Sequence, residues 1–212
     1  MLKYKIYNLI SGYETNTYLV WETESLEAVL IDPAAPDKIL KDDINELGLS
    51  LKMIINTHGH GDHIGGNHFF AAEFKCPVAI HKNDAAMLLN DNLNFTTIMG
   101  IPYDPIEATI LFEDNDNIQL GNIPMEIFHT PGHTTGCIVI YSKPYLFSGD
   151  TLFLLEVGRC DLPGGNYYHL KSSIRKKIFV LPDDTIVLPG HGDSTTVGRE
   201  KLENPYMTNP AL

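Results

Sequence analysis

Residues 57–66 read Thr-His-Gly-His-Gly-Asp-His-Ile-Gly-Gly and place four potential metal ligands, His58, His60, Asp62 and His63, within six positions. With 9 His and 15 Asp among 212 residues, random placement produces that H-x-H-x-D-H spacing in about one chain per thousand. In extended backbone, residues two apart share a side, so His58 and His60 point together, while Asp62 and His63, at the turn into the next helix, address a neighbouring position. Gly59 and Gly61 keep this junction free of bulk, and Gly65-Gly66 permits close backbone approach. Three further segments repeat the signature of an apolar run, a glycine and then a ligand: Pro131-Gly132-His133, Ser148-Gly149-Asp150 and Pro189-Gly190-His191. Five imidazoles and two carboxylates suffice for two divalent ions that share one carboxylate and keep open positions for water. A fold for this chain must therefore bring four strand ends to one edge. Imidazole and carboxylate suit zinc, iron or manganese. Cys76, Cys137 and Cys160 lie far apart and form no CxxC pair, so neither a cysteine zinc site nor a disulfide scaffold is encoded.

The rest of the chain reads as alternating strands and helices. Residues 4–10, 16–21 and 28–31 alternate or run apolar and are expected as antiparallel strands. Pro36 opens an amphipathic helix in which Ile39, Leu40, Ile44 and Leu47 recur at helical spacing until Gly48. A strand at 53–55, a helix over 64–74 and a strand at 78–80 follow; 84–89 reads as helical and 90–105 as a long surface loop bordering the site. The second half repeats the order, with strands at 118–120, 124–129, 136–141 and 145–147, a helix over 170–179 and a strand at 185–188. Two stacked sheets with helices outside, an α/β layered architecture, is the economical arrangement. No Ser/Gly/Pro-rich linker divides the chain, so a single domain over 1–212 is expected, and a 43% hydrophobic fraction supplies its core. The net charge of −12 and the lack of any Lys/Arg run argue against a nucleic-acid partner. No 18 apolar residues are consecutive, and Met1 onward alternates Lys and Tyr with Leu and Ile. Neither a membrane span nor a signal peptide is read, and a cytoplasmic location is expected.

With these residues in place, the chain resembles the metallo-β-lactamase-fold hydrolases, and within them a short form of the glyoxalase II-like (hydroxyacylglutathione hydrolase-like) branch. The resemblance runs from the opening strands to His191. It implies an αββα four-layer sandwich, with two divalent metal ions at one edge between the sheets, zinc first and iron or manganese as alternatives. Carried over by position, His58, His60 and His133 would hold the first metal, Asp62, His63 and His191 the second, and Asp150 would bridge them. The flavin-linked diiron relatives, with Glu in place of the second motif histidine, do not match His60. True β-lactamases commonly place Cys or Ser where Asp150 stands, which argues against antibiotic hydrolysis.

The segment Val157-Gly158-Arg159-Cys160-Asp161-Leu162-Pro163-Gly164-Gly165 is similar to a stretch lining the substrate pocket of glyoxalase II and persulfide dioxygenase relatives. Arg159 becomes a candidate partner for a substrate carboxylate, or else a mate for Asp161; Tyr167 and Tyr168 are candidates to reach the cleft from the start of the next helix. Cys160 is read as a packing residue, His129 as core or second to the ligands, and His68, His81 and His169 as structural or solvent-facing. The resemblance implies hydrolysis of a small-molecule thioester, S-lactoylglutathione or a related hydroxyacyl thioester, by a metal-bridging hydroxide, with Asp62 and Asp150 in the catalytic centre and no membrane or nucleic acid involved. Full-length glyoxalase II carries a helical glutathione-binding extension for which the 21 residues after His191 leave no room. A mononuclear-iron persulfide dioxygenase using His58, His133 and Asp150, a lactonase or other ester hydrolase, and a non-catalytic metal-binding module are the alternatives. The sequence leaves the oligomeric state open.

Overall fold

In the computed structural model of the chain, which describes residues 1–209, the first half builds one six-stranded sheet and the second half another. Residues 210–212 of the expected single-domain span lie outside the described residues. β1 (Leu2–Asn8), β2 (Asn16–Glu22) and β3 (Glu27–Ile31) form the antiparallel meander their alternation predicts. After α1 (Lys38–Glu46), β4 (Ser50–Ile55) lies parallel to β3. α2 (Gly61–Ile64) and α3 (Asn67–Phe74) lead to β5 (Val78–His81); α4 (Asp91–Asn94) and α5 (Thr96–Met99) lead to β6 (Ile110–Phe112). Both strands continue the parallel order.

The second sheet starts with β7 (Asn117–Leu120), β8 (Ile123–His129), β9 (Ile138–Ser142) and β10 (Tyr145–Gly149), antiparallel throughout. A small hairpin of β11 (Leu152–Phe153) and β12 (Glu156–Val157) precedes α6 (Tyr167–Ser173). β13 (Ile186–Pro189) then lies parallel to β10, β14 (Thr195–Thr196) forms the edge, and α7 (Val197–Glu203) and α8 (Pro205–Thr208) close the described chain.

Alternation along the strands sorts side chains into three apolar layers. Tyr18, Val20 and Ile31 face Ile127, Ile140 and Phe147 between the sheets. Leu19, Leu30 and Ile54, on the opposite face of the first sheet, pack under Leu40 and Ile44 of α1 and Phe70 of α3. Val139, Leu146 and Val187 pack under Leu170, Ile174 and Val197. Three such layers make the expected αββα sandwich, because each sheet buries both faces. Emptying one of these positions, as in Ile54→Ala, costs about 2–5 kcal/mol.

Several local expectations need correction. Ile39 and Leu47 lie on the exposed side of α1, and only Leu40 and Ile44 of its apolar set are buried. The single helix expected over 64–74 is two, broken where Gly65 and Gly66 press against the backbone of Pro33, Ala34 and Ala35; a Cβ at either would sit 2.4–2.7 Å from a carbonyl oxygen. The expected loop 90–105 contains α4 and α5, each a single turn capped by a residue in the left-handed region, Phe95 and Gly100. The helix expected over 170–179 begins three residues earlier, where Asn166 accepts from the His169 amide, and ends in a wide turn over Ile174–Ile178. β6, β11, β12, β14, α7 and α8 were not anticipated; the three shortest strands have two residues each, too few for any periodicity to appear.

Candidate metal centre

β10 and β13 run parallel, and β8 points the same way because two antiparallel steps separate it from β10. Their carboxyl ends therefore meet at one edge, delivering His133, Asp150 and His191 together. β4 ends at the same place through the bond from the Ile138 amide to the Thr57 carbonyl, 2.9 Å, which ties the hexad loop to the second sheet. The Asn16 amide donates to the Gly190 carbonyl at 2.7 Å and joins the other side.

All seven sequence-predicted ligands converge. Ligand atoms of His58, His60 and His133 lie within 4.8 Å of one another, as do those of Asp62, His63 and His191. Asp150 stands between the groups, its oxygens 3.4 Å from His63 Nε2, 3.5 Å from His133 Nε2 and 3.6 Å from His191 Nε2. Six of the seven are buried and His191 is partly so.

The outward nitrogens define what the inward ones offer. His133 Nδ1 donates to the Arg159 carbonyl at 2.8 Å, His191 Nδ1 to the Tyr13 carbonyl at 2.8 Å, and His63 Nδ1 to Asp32 Oδ2 at 3.0 Å. His58 Nδ1 donates to Thr57 Oγ1 at 3.1 Å, since that hydroxyl spends its own hydrogen on Asp32 Oδ2 at 2.6 Å. In a neutral imidazole whose Nδ1 carries the hydrogen, Nε2 is a lone pair. Four Nε2 atoms therefore point into the cluster, each a lone pair once its ring is neutral, and His60 presents Nδ1 there. His63 Nε2 meets His191 Nε2 at 3.2 Å, His133 Nε2 meets His60 Nδ1 at 2.9 Å and His58 Nε2 meets it at 3.1 Å. With both rings neutral, His63 Nε2 and His191 Nε2 are facing acceptors that a cation between them would relieve, and Asp150 Oδ1 is a buried acceptor with no hydrogen-bond partner. The donor set fits divalent metal ions, with outer partners that orient each imidazole.

The protonation states divide the cluster. Burial, with His63 nearby, holds His58 well below the ordinary imidazole value, and burial with His133 pushes His60 down to about 3. Burial also opposes charge on His63, but Asp150, Asp62 and Asp32 outweigh it and raise it to about 9. His191 rises to about 11 because bonds to Asp150 and Asp62 overcome its burial. Against burial, His63 and His191 in turn hold Asp150 well below, and Asp62 below, the usual carboxylate range. His58 and His60 are ready as neutral ligands, whereas His63 and His191 hold protons that a metal must displace.

Three supporting residues escaped the sequence reading. Asp32, at the end of β3, also accepts from the Thr57 amide at 2.7 Å. Thr15 donates to Asp62 Oδ2 at 3.1 Å. Asp84, fully buried beyond β5, accepts from Thr134 Oγ1 at 2.6 Å and from the amides of Gly59 and Gly136, clasping the His58–His60 loop to the His133 loop. Asp32 and Asp84 follow apolar strands, as Asp150 does, which is the signal that was available.

A cleft of about 840 Å³ opens over His60, Asp62, His133, Asp150 and His191. Arg159 lines it, but its guanidinium is paired in two bonds to Asp161 at 2.7 and 2.8 Å, out in solvent. Tyr167 and Tyr168 do not line it, contrary to expectation. The first turn of α6 directs Tyr167 Oη to the Tyr206 carbonyl at 3.2 Å and leaves Tyr168 84% exposed. His129 stacks on buried His81 with ring centres 3.9 Å apart and takes no part in the cluster. Cys160 packs against the layer under α6, its thiol pushed up by burial.

The sequence profile of the metallo-beta-lactamase superfamily matches residues 10–191. The hydroxyacylglutathione hydrolase GloC of Haemophilus influenzae is 34% identical, covering 94% of this chain and 96% of its own length. The human mitochondrial persulfide dioxygenase ETHE1 is 35% identical over 92% of this chain and 72% of its own. Among solved structures, the B3 metallo-beta-lactamase BLEG-1 superposes with a TM-score of 0.91 at 34% identity, covering 98% of this chain and 100% of that one. TTHA1623 in a di-iron-bound form gives 0.82 at 30%, covering 94% and 99%. The sandwich, the ligand pattern and these likenesses agree that the chain belongs to the metallo-β-lactamase superfamily.

Proposed function

We propose that the chain is a dinuclear-metal hydrolase of a thioester, with S-lactoylglutathione and related hydroxyacyl thioesters as the class to test. The observation that carries this reading is the pair of ligand triads with Asp150 between them, four imidazoles turning Nε2 inward. In it, His58, His60 and His133 would hold one divalent ion and Asp62, His63 and His191 the other, with Asp150 available to both. Zinc suits the donors first, and iron or manganese also fit. Such a pair would supply a nucleophile from water at neutral pH and polarise the thioester carbonyl. Asp62 and Asp150 offset the cations' charge, and Thr15 and Asp32 keep Asp62 and His63 aimed inward. Water adds to the acyl carbon, the C–S bond breaks, and the products are a carboxylate, a thiol and a proton. The leaving thiolate, with a conjugate-acid pKa near about 8.5, needs little help from a general acid.

The same reading takes the partner to be a small-molecule thioester, without nucleic acid or membrane, in the cytoplasm. No helix among the described residues is long and apolar enough to cross a membrane.

The likeness to ETHE1 favours a second reading, a persulfide dioxygenase with one iron on His58, His133 and Asp150. Asp62→Ala separates the two. For a dinuclear hydrolase, metal content falls from about two ions to about one and most thioester hydrolysis is lost. For a dioxygenase, the wild type binds one iron and consumes oxygen with glutathione persulfide, and the variant keeps that iron with at most about a 10- to 100-fold loss.

A further inference from the structure

The cleft above the ligand cluster has walls unlike its floor. α5 forms one wall. Its interior side is fastened by polar bonds: buried Asn94 donates to the Met87 carbonyl at 2.7 Å and accepts from Thr96 Oγ1 at 2.7 Å, while Tyr13 Oη donates to the Met99 carbonyl at 3.1 Å. Thr97 is tied to Asp91 at 2.8 Å. These bonds leave the apolar side chains of Phe95, Ile98 and Met99 to line the cleft, and Ile98 is 81% exposed at its lip. Phe153, Leu154 and Val157 line it as well. An isoleucine that open, continuous with a polar cluster, has no packing role within the chain; a bound apolar group would cover it.

The charged groups lining the cleft beyond the cluster are Glu156, Asp193 and Arg159. Two are acidic, and Arg159 is engaged by Asp161. No lysine is among the lining residues. Glutathione brings two carboxylates and an ammonium, so its anions would face Glu156 and Asp193 with the cleft's cation already paired.

Resting on the thioester-hydrolase reading, we propose that the cleft selects thioesters with uncharged, apolar limbs over S-lactoylglutathione, and that Ile98, with Phe95 and Met99, sets this preference. A limb laid along these walls removes apolar surface from water on both partners, and each methylene buried is worth about a 3- to 4-fold gain in kcat/KM until the wall is covered.

The test is hydrolysis by the metal-loaded full chain of an acetyl, butanoyl and hexanoyl series on N-acetylcysteamine, a neutral thiol, beside S-lactoylglutathione and S-hexanoylglutathione. Expected are a rise in kcat/KM along the series, at least about a tenfold advantage of the hexanoyl ester over S-lactoylglutathione, and a weaker S-hexanoylglutathione than its neutral counterpart. In I98D, the hexanoyl-to-acetyl ratio collapses toward one; being a ratio within one preparation, it is independent of the fraction of active protein. A flat series, or S-lactoylglutathione turned over as fast as the hexanoyl ester, overturns the selectivity and leaves the hydrolase reading intact. No hydrolysis of any of these esters overturns both.

Discussion

Asp32→Asn tests whether ligand readiness depends on one buried carboxylate that faces no metal. Asp32 is 2% exposed and sits at φ 49°, a conformation asparagine adopts as easily as aspartate, so the substitution changes side-chain chemistry without adding backbone strain. The carboxylate accepts three bonds, from the Thr57 amide, the Thr57 hydroxyl and His63 Nδ1. An amide whose oxygen keeps the Thr57 amide turns N–H toward the other two donors. Thr57 then rotates its hydrogen toward His58 Nδ1, which moves the imidazole hydrogen to Nε2 and points it into the cluster; His63 faces the same reversal. Two charge-assisted bonds lost at about 1.5–3 kcal/mol each, partly recovered by the rotated hydroxyl, give about 3 kcal/mol of destabilisation. Disturbing the partners that orient His58 and His63 weakens metal binding at both positions by about 10- to 100-fold. Urea unfolding in chelator reads the first quantity, and competition with a chromophoric chelator reads the second. Leu40→Ala is the control, costing a similar about 2–5 kcal/mol in the layer under α1, remote from the cluster. Metal affinity in Asp32→Asn within twofold of wild type, or an equal loss in Leu40→Ala, would refute the reasoning.

Two further perturbations follow from the same geometry. Gly158→Ala would place a Cβ 1.8 Å from the Asp150 carbonyl and 3.2 Å from His133 Cβ, so the backbone under two ligands must shift; about 3 kcal/mol of stability, the top of the overpacking range, and part of the bound metal should be lost by calorimetry and metal analysis. In metal-free protein His63 and His191 are raised to about 9 and about 11, so their contribution is complete below the unfolded imidazole value of about 6.5 and declines as pH rises through 9 and then 11. Asp62 and Asp150, held low, contribute above the unfolded carboxylate value and lose it as pH falls further. Chelated protein should therefore weaken in urea between about pH 7 and pH 10 while metal-loaded protein does not, and loading at pH 7 should release protons to an indicator dye. Equal slopes with and without metal would contradict the assignment.

The candidate ligand cluster was legible because metal chemistry restricts residue type and the fold restricts position. His133, Asp150 and His191 each follow an apolar strand and a glycine, and strands of one direction deliver their ends to one edge. The layered sandwich was legible from unbroken apolar runs, since those in β2 and β3 mark strands buried on both faces. The orienting groups were not. Tyr13 and Arg159 hold His191 and His133 through backbone carbonyls, which every residue possesses, so no side-chain pattern marks them. Tyr167 and Tyr168 were misplaced because adjacency to a helix start does not say which way the first turn faces. α5 was hidden by its brevity, being one turn held by Asn94, Tyr13 and a left-handed Phe95 rather than by any apolar period.

That hidden element separates the two halves of the function. The proposed chemistry resides in residues whose identity is dictated by the donor set, so it is readable from spacing. The proposed selectivity resides in α5, whose backbone is pinned by polar bonds, and in the β11–β12 hairpin, short segments between strands whose apolar side chains line the cleft. Substitutions at Ile98 or Leu154 can therefore alter what enters the cleft with little consequence for the sandwich, because neither belongs to its three buried layers. Asp32, Asp84 and Asp150 have no such freedom. Asp32 accepts from Thr57 and His63 of one loop, Asp84 joins the His58–His60 loop to the His133 loop, and Asp150 stands among His63, His133 and His191, so a change at any of them moves the cluster and fold together.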